Sequence, residues 1–248
     1  MSMLHLLGTG APFLVAGRTT TMLAVESDGA VLLVDCGGDA VERMQASGLN
    51  PAHLTGLIVT HAHADHLGGL PLLVEKLWLG GRTAPLPVYG IASALDVARR
   101  LLDLFGAPEW KGLFEIVWTE IPERPRAEVV DDAHFRVVAS PVVHALPNVG
   151  LRIETKADGH ALAYSSDTEP CDAVVDLARG TRLLVHEATG EGPGHSSAAQ
   201  AAAVAQQAGV PLLVLVHLPP GLSDADLADA RAVFPATVLG KEGGRLRV

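Results

Sequence analysis

The sequence predicts a layered α/β domain, and three features carry that expectation. Short runs rich in β-branched residues and Leu, read as strands, alternate with longer helical patterns. Both kinds of element recur in each half of the chain rather than segregating. The strands near Leu32 and Leu213 are apolar on both faces, as a sheet requires when helices cover one side and a second sheet covers the other.

In chain order, MLHLLGT (3–9), TTMLAVES (20–27), AVLLVDCG (30–37) and GLIVT (56–60) read as strands. From Gly68, GGLPLLVEKLW spaces its apolar residues as a helix packed on a sheet, and ASALDVARRLLDLF (92–105) reads as a second helix. FEIVWTE (114–120), HFRVVASPVVH (134–144), VGLRIETK (149–156) and HALAYSSD (160–167) return to strand. CDAVVDLA (171–178) and SAAQAAAVAQQAG (197–209) are helical, and PLLVLVH (211–217) is again a strand.

At 248 residues and 48% hydrophobic content the chain can bury a large core. Pro and Gly are dispersed, and no repeat or low-complexity tract marks a linker, so residues 1–248 are expected to form one domain. No apolar run is long enough to cross a bilayer, and MSMLHLLGTGAP has no basic region ahead of its apolar stretch. The expected location is therefore the cytoplasm, with no membrane partner. Cys36 and Cys171 are too few for a disulfide framework and are expected to be buried thiols. The formal charge of −10 argues against a broad nucleic-acid surface, because Lys and Arg supply most of such affinity.

The chemistry concentrates in THAHADHLGG (60–69), where His61, His63, Asp65 and His66 fall within six positions at a strand's C-terminal end. Imidazole nitrogens and a carboxylate suit a borderline divalent cation. Alternation in an extended loop points His61 and His63 to one side, while Asp65 and His66 can turn toward a neighbouring position. One loop cannot surround an ion, so further donors are sought at other strand ends. His144, Asp167 and His217 occupy such places. Singly, each has a plainer reading, a hydrogen-bonded surface histidine or, for Asp167 with Thr168, a helix cap. As an ordered set beside HxHxDH they point to a metal centre.

HxHxDH followed by His, Asp and His resembles the metallo-β-lactamase superfamily, whose fold is a four-layered αββα sandwich. LLGTGAP (6–12), RTAPLPVYG (82–90), HEAT (186–189) and GHSSAAQAAAVA (194–205) are similar to segments of its ribonuclease Z branch and small phosphodiesterase relatives, so the resemblance spans nearly the whole chain. It implies one ion held by His61, His63 and His144, a second held by Asp65, His66 and His217, and Asp167 bridging them. Zinc is the first expectation, with manganese or iron as alternatives, since no thiolate joins the set. Two such ions would generate a bridging hydroxide for in-line attack on phosphorus, with Asp65 orienting it. His195 resembles the general acid of that branch, and Glu187 of HEAT would orient and charge it. The plainer reading of His195 is a helix-start residue beside an N-capping Ser196 or Ser197. Asp35 resembles a group that bonds the far side of a ligand histidine rather than a ligand. His5, His53, His134, His160 and His186 read as structural. GTG at 8–10 lacks the third glycine of a dinucleotide fingerprint, and GHSSA matches a nucleophile elbow only loosely.

Two departures bear on substrate. Ribonuclease Z proteins that mature tRNA usually carry a long arm between the positions matching His144 and Asp167, where this chain has room for two strands and a turn at 157–159. After the last metal histidine that family tends to continue with Ser and an Arg-Tyr pair, whereas this chain reads HLPPGLSDAD. With the negative charge, both favour a small phosphodiester, such as a cyclic nucleotide or short nucleotide. A tRNA 3′-end endoribonuclease and an ester, lactone or sulfate-ester hydrolase are the alternatives. A non-catalytic binding protein on the same fold is disfavoured by the complete donor set. A homodimer is compatible with the resemblance.

Overall fold

In a computed structural model describing residues 1–222 and 224–248, two seven-stranded sheets pack against each other between outer helices. The first contains β1 (Met3–Gly8), β2 (Met22–Ser27), β3 (Ala30–Val34), β4 (Leu54–Val59), β5 (Leu86–Gly90) and β6 (Ile116–Glu120) in that spatial order. The second contains β7 (Ala127–Asp131), β8 (Phe135–Pro141), β9 (Val149–Thr155), β10 (His160–Tyr164), β11 (Leu183–Glu187), β12 (Leu213–Val216) and β13 (Thr237–Leu239). β14 (Arg245–Arg247) returns to the first sheet beside β1. β1 to β3 and β7 to β10 pair antiparallel, whereas β3 to β6 and β10 to β13 run parallel.

The parallel runs need crossover helices. α1 (Ala40–Ala46), the four-residue α2 (Ala64–Leu67), α3 (Leu70–Leu79) and α4 (Ala92–Leu104) belong to the first half. α5 (Asp172–Ala178), α6 (Ala198–Ala208) and α7 (Asp224–Val233) pack on the second sheet. Side-chain alternation explains the doubly apolar strands: on β12, Val214 and Val216 enter the core between the sheets, while Leu213 and Leu215 join the cluster beneath α5 and α6. This is the four-layered αββα order that the resemblance implied.

The departures from expectation lie at strand ends and in strands that the sequence did not reveal. β8 stops at Pro141 and β10 at Tyr164, so His144 and Asp167 sit three residues beyond their strands, in loops. β13 and β14, three residues each, were not anticipated, nor were β5, β7 and β11. Cys36 is fully buried, but Cys171 is partly exposed, against the expectation of two buried thiols. Asp35, Ser166 and His217 adopt left-handed backbone with φ of 61°, 53° and 52°. They follow β3, β10 and β12 and turn the chain sharply at the sheet edge where the histidines gather. Among the described residues no helix is long and apolar enough to cross a membrane.

Candidate metal centre

β4 delivers Thr60 and His61 to the sheet edge in extended chain, and His63 occupies the N-cap position of α2 with extended dihedrals. The turn of α2 then redirects Asp65 and His66. The loop after β3 clamps this helix, since Cys36 N–H donates to His66 O at 2.8 Å and Gly69 N–H donates to Cys36 O at 2.8 Å. The contact is so close that a Cβ on Gly37 would lie 1.7 Å from Asp65 O, so only glycine fits there.

Three groups of donors result among the described residues, each with one donor atom per residue and all within 4.8 Å of one another: His61, His63, His144 and Asp167; Asp65, His66, Asp167 and His217; and, adjoining the second through His217, Glu187, His195 and His217. In the first, His63 Nδ1 lies 3.0 Å from His61 Nε2 and 3.1 Å from His144 Nε2. In the second, His217 Nε2 lies 3.1 Å from Asp65 Oδ2 and 3.4 Å from Asp167 Oδ2, and His66 Nε2 lies 3.4 Å from Asp167 Oδ2. Asp167 Oδ2 is also 3.8 Å from His61 Nε2, so this carboxylate belongs to both of these groups. All seven residues expected from the sequence meet at one place.

The far sides of the rings determine which nitrogens are free. Asp35 is fully buried and accepts from His66 Nδ1 at 2.8 Å, from Thr60 N–H at 2.9 Å and from the Thr60 hydroxyl. Having donated to Asp35, the Thr60 hydroxyl accepts from His61 Nδ1 at 3.0 Å. Gly194 O accepts from His144 Nδ1 at 2.8 Å. The Thr189 hydroxyl donates to His217 O at 3.0 Å and accepts from His217 Nδ1 at 2.6 Å. Four of the five rings therefore carry their proton away from the centre and turn an Nε2 lone pair inward. His66 Nε2 and Asp167 Oδ1 are buried without a hydrogen-bond partner, a costly condition that a cation relieves. The donor set fits a divalent metal on this geometry.

Electrostatics agree. Burial and the neighbouring His66 push His61 down to about 2, and burial with His144 lowers His63, so both rings are neutral. Burial opposes ionisation of Asp65 and Asp167, yet the surrounding histidines hold both below the usual carboxylate range. Burial alone would lower His66, but Asp167 and Asp35 raise it well above 6.5, so the carboxylates demand positive charge at that point. His61, His63 and the two carboxylates are thus already in ligand form, whereas His66 would release a proton as a metal binds.

Glu187 ends β11 fully buried and is the hub of the adjoining loops. Its carboxylate accepts from Ser196 N–H and Thr189 N–H at 2.8 Å each, from His195 Nδ1 at 3.1 Å and from Thr168 N–H at 3.3 Å. The hydrogen bond to Glu187 raises the pKa of His195, against its partial burial. His195 packs edge-on against His144, ring centroids 5.1 Å apart, and stacks with His217 at 5.8 Å. The cap of α6 is Ser197, whose side chain accepts from Gln200 N–H while Gln200 answers to Ser197 N–H, a full capping box. Of the two serines expected to cap the helix beside His195, Ser197 does so and Ser196 does not. Asp167 and Thr168 do not cap α5 either, because Cys171 is its N-cap residue.

Sequence reasoning missed Thr60, Thr189 and Asn148, whose side-chain amide donates to Asp167 O at 2.8 Å. Thr60 and Thr189 stood beside recognised motifs, which was the available signal. His5 and His186 lie apart from the centre, bonded to Glu26 and to Glu187 O, in keeping with structural roles.

The family model described as β-lactamase superfamily domain matches residues 31–218. Ribonuclease BN of Erwinia tasmaniensis is 32% identical, and the alignment covers 94% of this chain and 96% of that protein. That alignment runs over 297 positions, longer than this 248-residue chain, so the relative carries insertions absent here. The metallo-β-lactamase fold protein YhfI of Bacillus subtilis covers 100% of this chain and 99% of its own, with a TM-score of 0.82 and 23% identity. The short form of human tRNase Z gives a TM-score of 0.81 and 24% identity over 99% of this chain and 98% of its own.

Proposed function

Because the chain belongs to the β-lactamase superfamily, we propose that it is a dinuclear metal-dependent phosphodiesterase that cleaves a small phosphodiester, such as a cyclic nucleotide or short nucleotide. The observation that carries the reading is Asp167, one carboxylate shared by two groups of donors. His61, His63 and His144 would hold one divalent ion and Asp65, His66 and His217 the other, with Asp167 between them and zinc ahead of manganese or iron. Such ions, when bound, lower the pKa of a water and draw charge from phosphoryl oxygens.

The remaining steps fall to the chain's own groups. The contacts of Asp65 with His217 and His66 use Oδ2, leaving Oδ1 to orient the attacking water. His195 Nδ1–H is committed to Glu187, so Nε2 carries the proton for the leaving alkoxide. Glu187 supports the charged ring and fixes its orientation. Fixed hydrogen bonds behind His61, His66, His144 and His217 spare the site reorganisation during reaction.

The small-substrate reading is supported by the tight β9–β10 hairpin that fills the interval between His144 and Asp167, by the −10 charge and by the longer alignment of the ribonuclease relative. RNA is the second reading, favoured by that relative's identity of 32%. The test is turnover by metal-loaded protein on an aryl phosphodiester, cyclic nucleotides, dinucleotides, precursor tRNA and matched carboxylic, lactone and sulfate esters. Metal-dependent hydrolysis of small phosphodiesters without tRNA cleavage is expected. Absence of phosphodiester turnover with zinc, manganese and cobalt alike would overturn the proposal, and faster turnover of a matched ester would reassign the bond. A homodimer also stays a proposal, supported by exposed Leu72 and Phe105, which line one groove with Trp78 and Trp110, and light scattering decides it.

A further inference from the structure

Two buried carboxylates, Asp35 and Glu187, hold the rings from behind, but neither reaches His144. The support of His144 is a peptide group: Gly194 O accepts from Nδ1 at 2.8 Å. That peptide sits in a tight turn, with His195 N–H donating to Gly192 O at 3.1 Å and Gly194 at a φ of 79°. A Cβ on Gly194 would lie 2.8 Å from His144 Nδ1 and 3.1 Å from Ala145 N, so the turn presses directly on the ring and its loop.

One side chain fixes the turn from the other direction. Glu169 Oε1 accepts from Gly194 N–H at 2.9 Å. The backbone of Glu169 is itself tied to the loop that carries His144, since Glu169 N–H donates to Val143 O at 2.9 Å. Val143 N–H in turn donates to the Thr168 hydroxyl at 3.0 Å, and that hydroxyl donates to Glu169 O. Glu169 therefore joins the loops of Asp167, His144 and His195. We propose that Glu169 is a positioning residue that sets the Nδ1–H tautomer and the placement of His144 through the backbone of Gly194, whose N–H and carbonyl it and His144 bond, and that it fixes His195 in the same turn.

The inference rests on the reading of His144 as a ligand. Its logic is that of a hydrogen-bond partner behind a ligand histidine, whose loss typically weakens metal binding by about 10- to 100-fold. The amide of Gln offers an acceptor oxygen of the same shape, so the acceptor and not the charge should matter.

The test is zinc competition titration of wild type, Glu169→Ala and Glu169→Gln, with urea unfolding of each. Wild type should bind two zinc ions. Glu169→Ala should weaken one of them by up to about 10-fold, the low end of the loss for a direct partner because Gly194 O itself stays, and leave the other nearly unchanged, whereas Glu169→Gln should stay within about threefold of wild type, since it keeps the acceptor. Gly194→Ala, which drives a methyl group into His144, should reproduce the selective loss if Glu169→Ala folds poorly. Unchanged affinity for both ions in Glu169→Ala, or equal weakening of both in proportion to lost stability, would overturn the inference while leaving the dinuclear reading intact. A wild type that binds no zinc would overturn both.

Discussion

Replacing Asp35 with Asn probes how far the two halves of the centre share one support. The carboxylate accepts from His66 Nδ1, from Thr60 N–H and from the Thr60 hydroxyl, and each bond assigns a proton. An amide keeps one acceptor oxygen but sets an NH2 donor against either His66 Nδ1–H, which bonds Oδ2, or Thr60 N–H, which bonds Oδ1. In the first case His66 must move its proton to Nε2, the nitrogen that faces Asp65 and Asp167. In the second the NH2 meets a backbone donor that cannot reassign its proton, which displaces Thr60, the residue whose hydroxyl accepts from His61 Nδ1. Asp35 thus stands behind one histidine of each donor group that shares Asp167. Loss of such a partner is worth about 10- to 100-fold in metal affinity, or about 1.4 to 2.8 kcal/mol at tenfold per 1.4 kcal/mol. Thr60→Val removes the hydroxyl alone and should weaken only the ion beside His61. Zinc competition titration against a chelator reads both variants. The reasoning fails if Asp35→Asn holds two zinc ions with wild-type affinity, or if Thr60→Val weakens both ions equally.

Other perturbations separate structural from chemical roles. Ser197→Ala removes the capping box of α6 and should cost about 1 kcal/mol, seen as a fall of about 2–4 °C in Tm, with zinc affinity unchanged; a loss of affinity would contradict the division between Ser197 and His195. Native protein should titrate one thiol with a disulfide reagent at pH 8 and two after unfolding, because burial and the nearby Asp35 push the Cys36 thiol up while Cys171 is partly exposed; two fast thiols would refute the packing around β3. Burial opposes it, but the Thr155 hydroxyl at 2.6 Å and Ser2 N–H at 3.0 Å hold Asp158 down to about 2. Its contribution is therefore fully present above the unfolded carboxyl pKa of about 3.9 and is lost as pH falls toward 2. The stability gap between wild type and Asp158→Asn should close over that window, and a gap independent of pH would contradict the assignment.

The parts of the centre legible in the sequence are those whose chemistry is carried by residue type at a strand end. HxHxDH announced itself by spacing, and His144, Asp167 and His217 by repeating the same placement after apolar runs. Asp35, Glu187 and His195 came through resemblance, and the hydrogen bonds to His66 and His195 agree with the supporting roles expected of the two carboxylates. Thr60, Thr189 and the Gly194 carbonyl were not legible, because a hydroxyl or peptide group becomes a support only when distant loops bring a ring to it. The same reason hid β13 and β14. Three residues carry no periodicity, and the pairing of Leu246 with Leu4 or of Val238 with Val214 is supplied by the neighbouring strand. β8 ran short of His144 because its pairing with β9 ends just past Pro141–Val149, with Val142 N–H to Asn148 O at 3.1 Å, and the backbone of Val143 turns instead to Thr168 and Glu169.

The dinuclear reading is tested most directly by anomalous diffraction from crystals grown with zinc, collected on both sides of the zinc edge. Two peaks are expected, one among His61, His63 and His144 and one among Asp65, His66 and His217, with Asp167 in contact with both. A single peak, or peaks away from these seven residues, would contradict it.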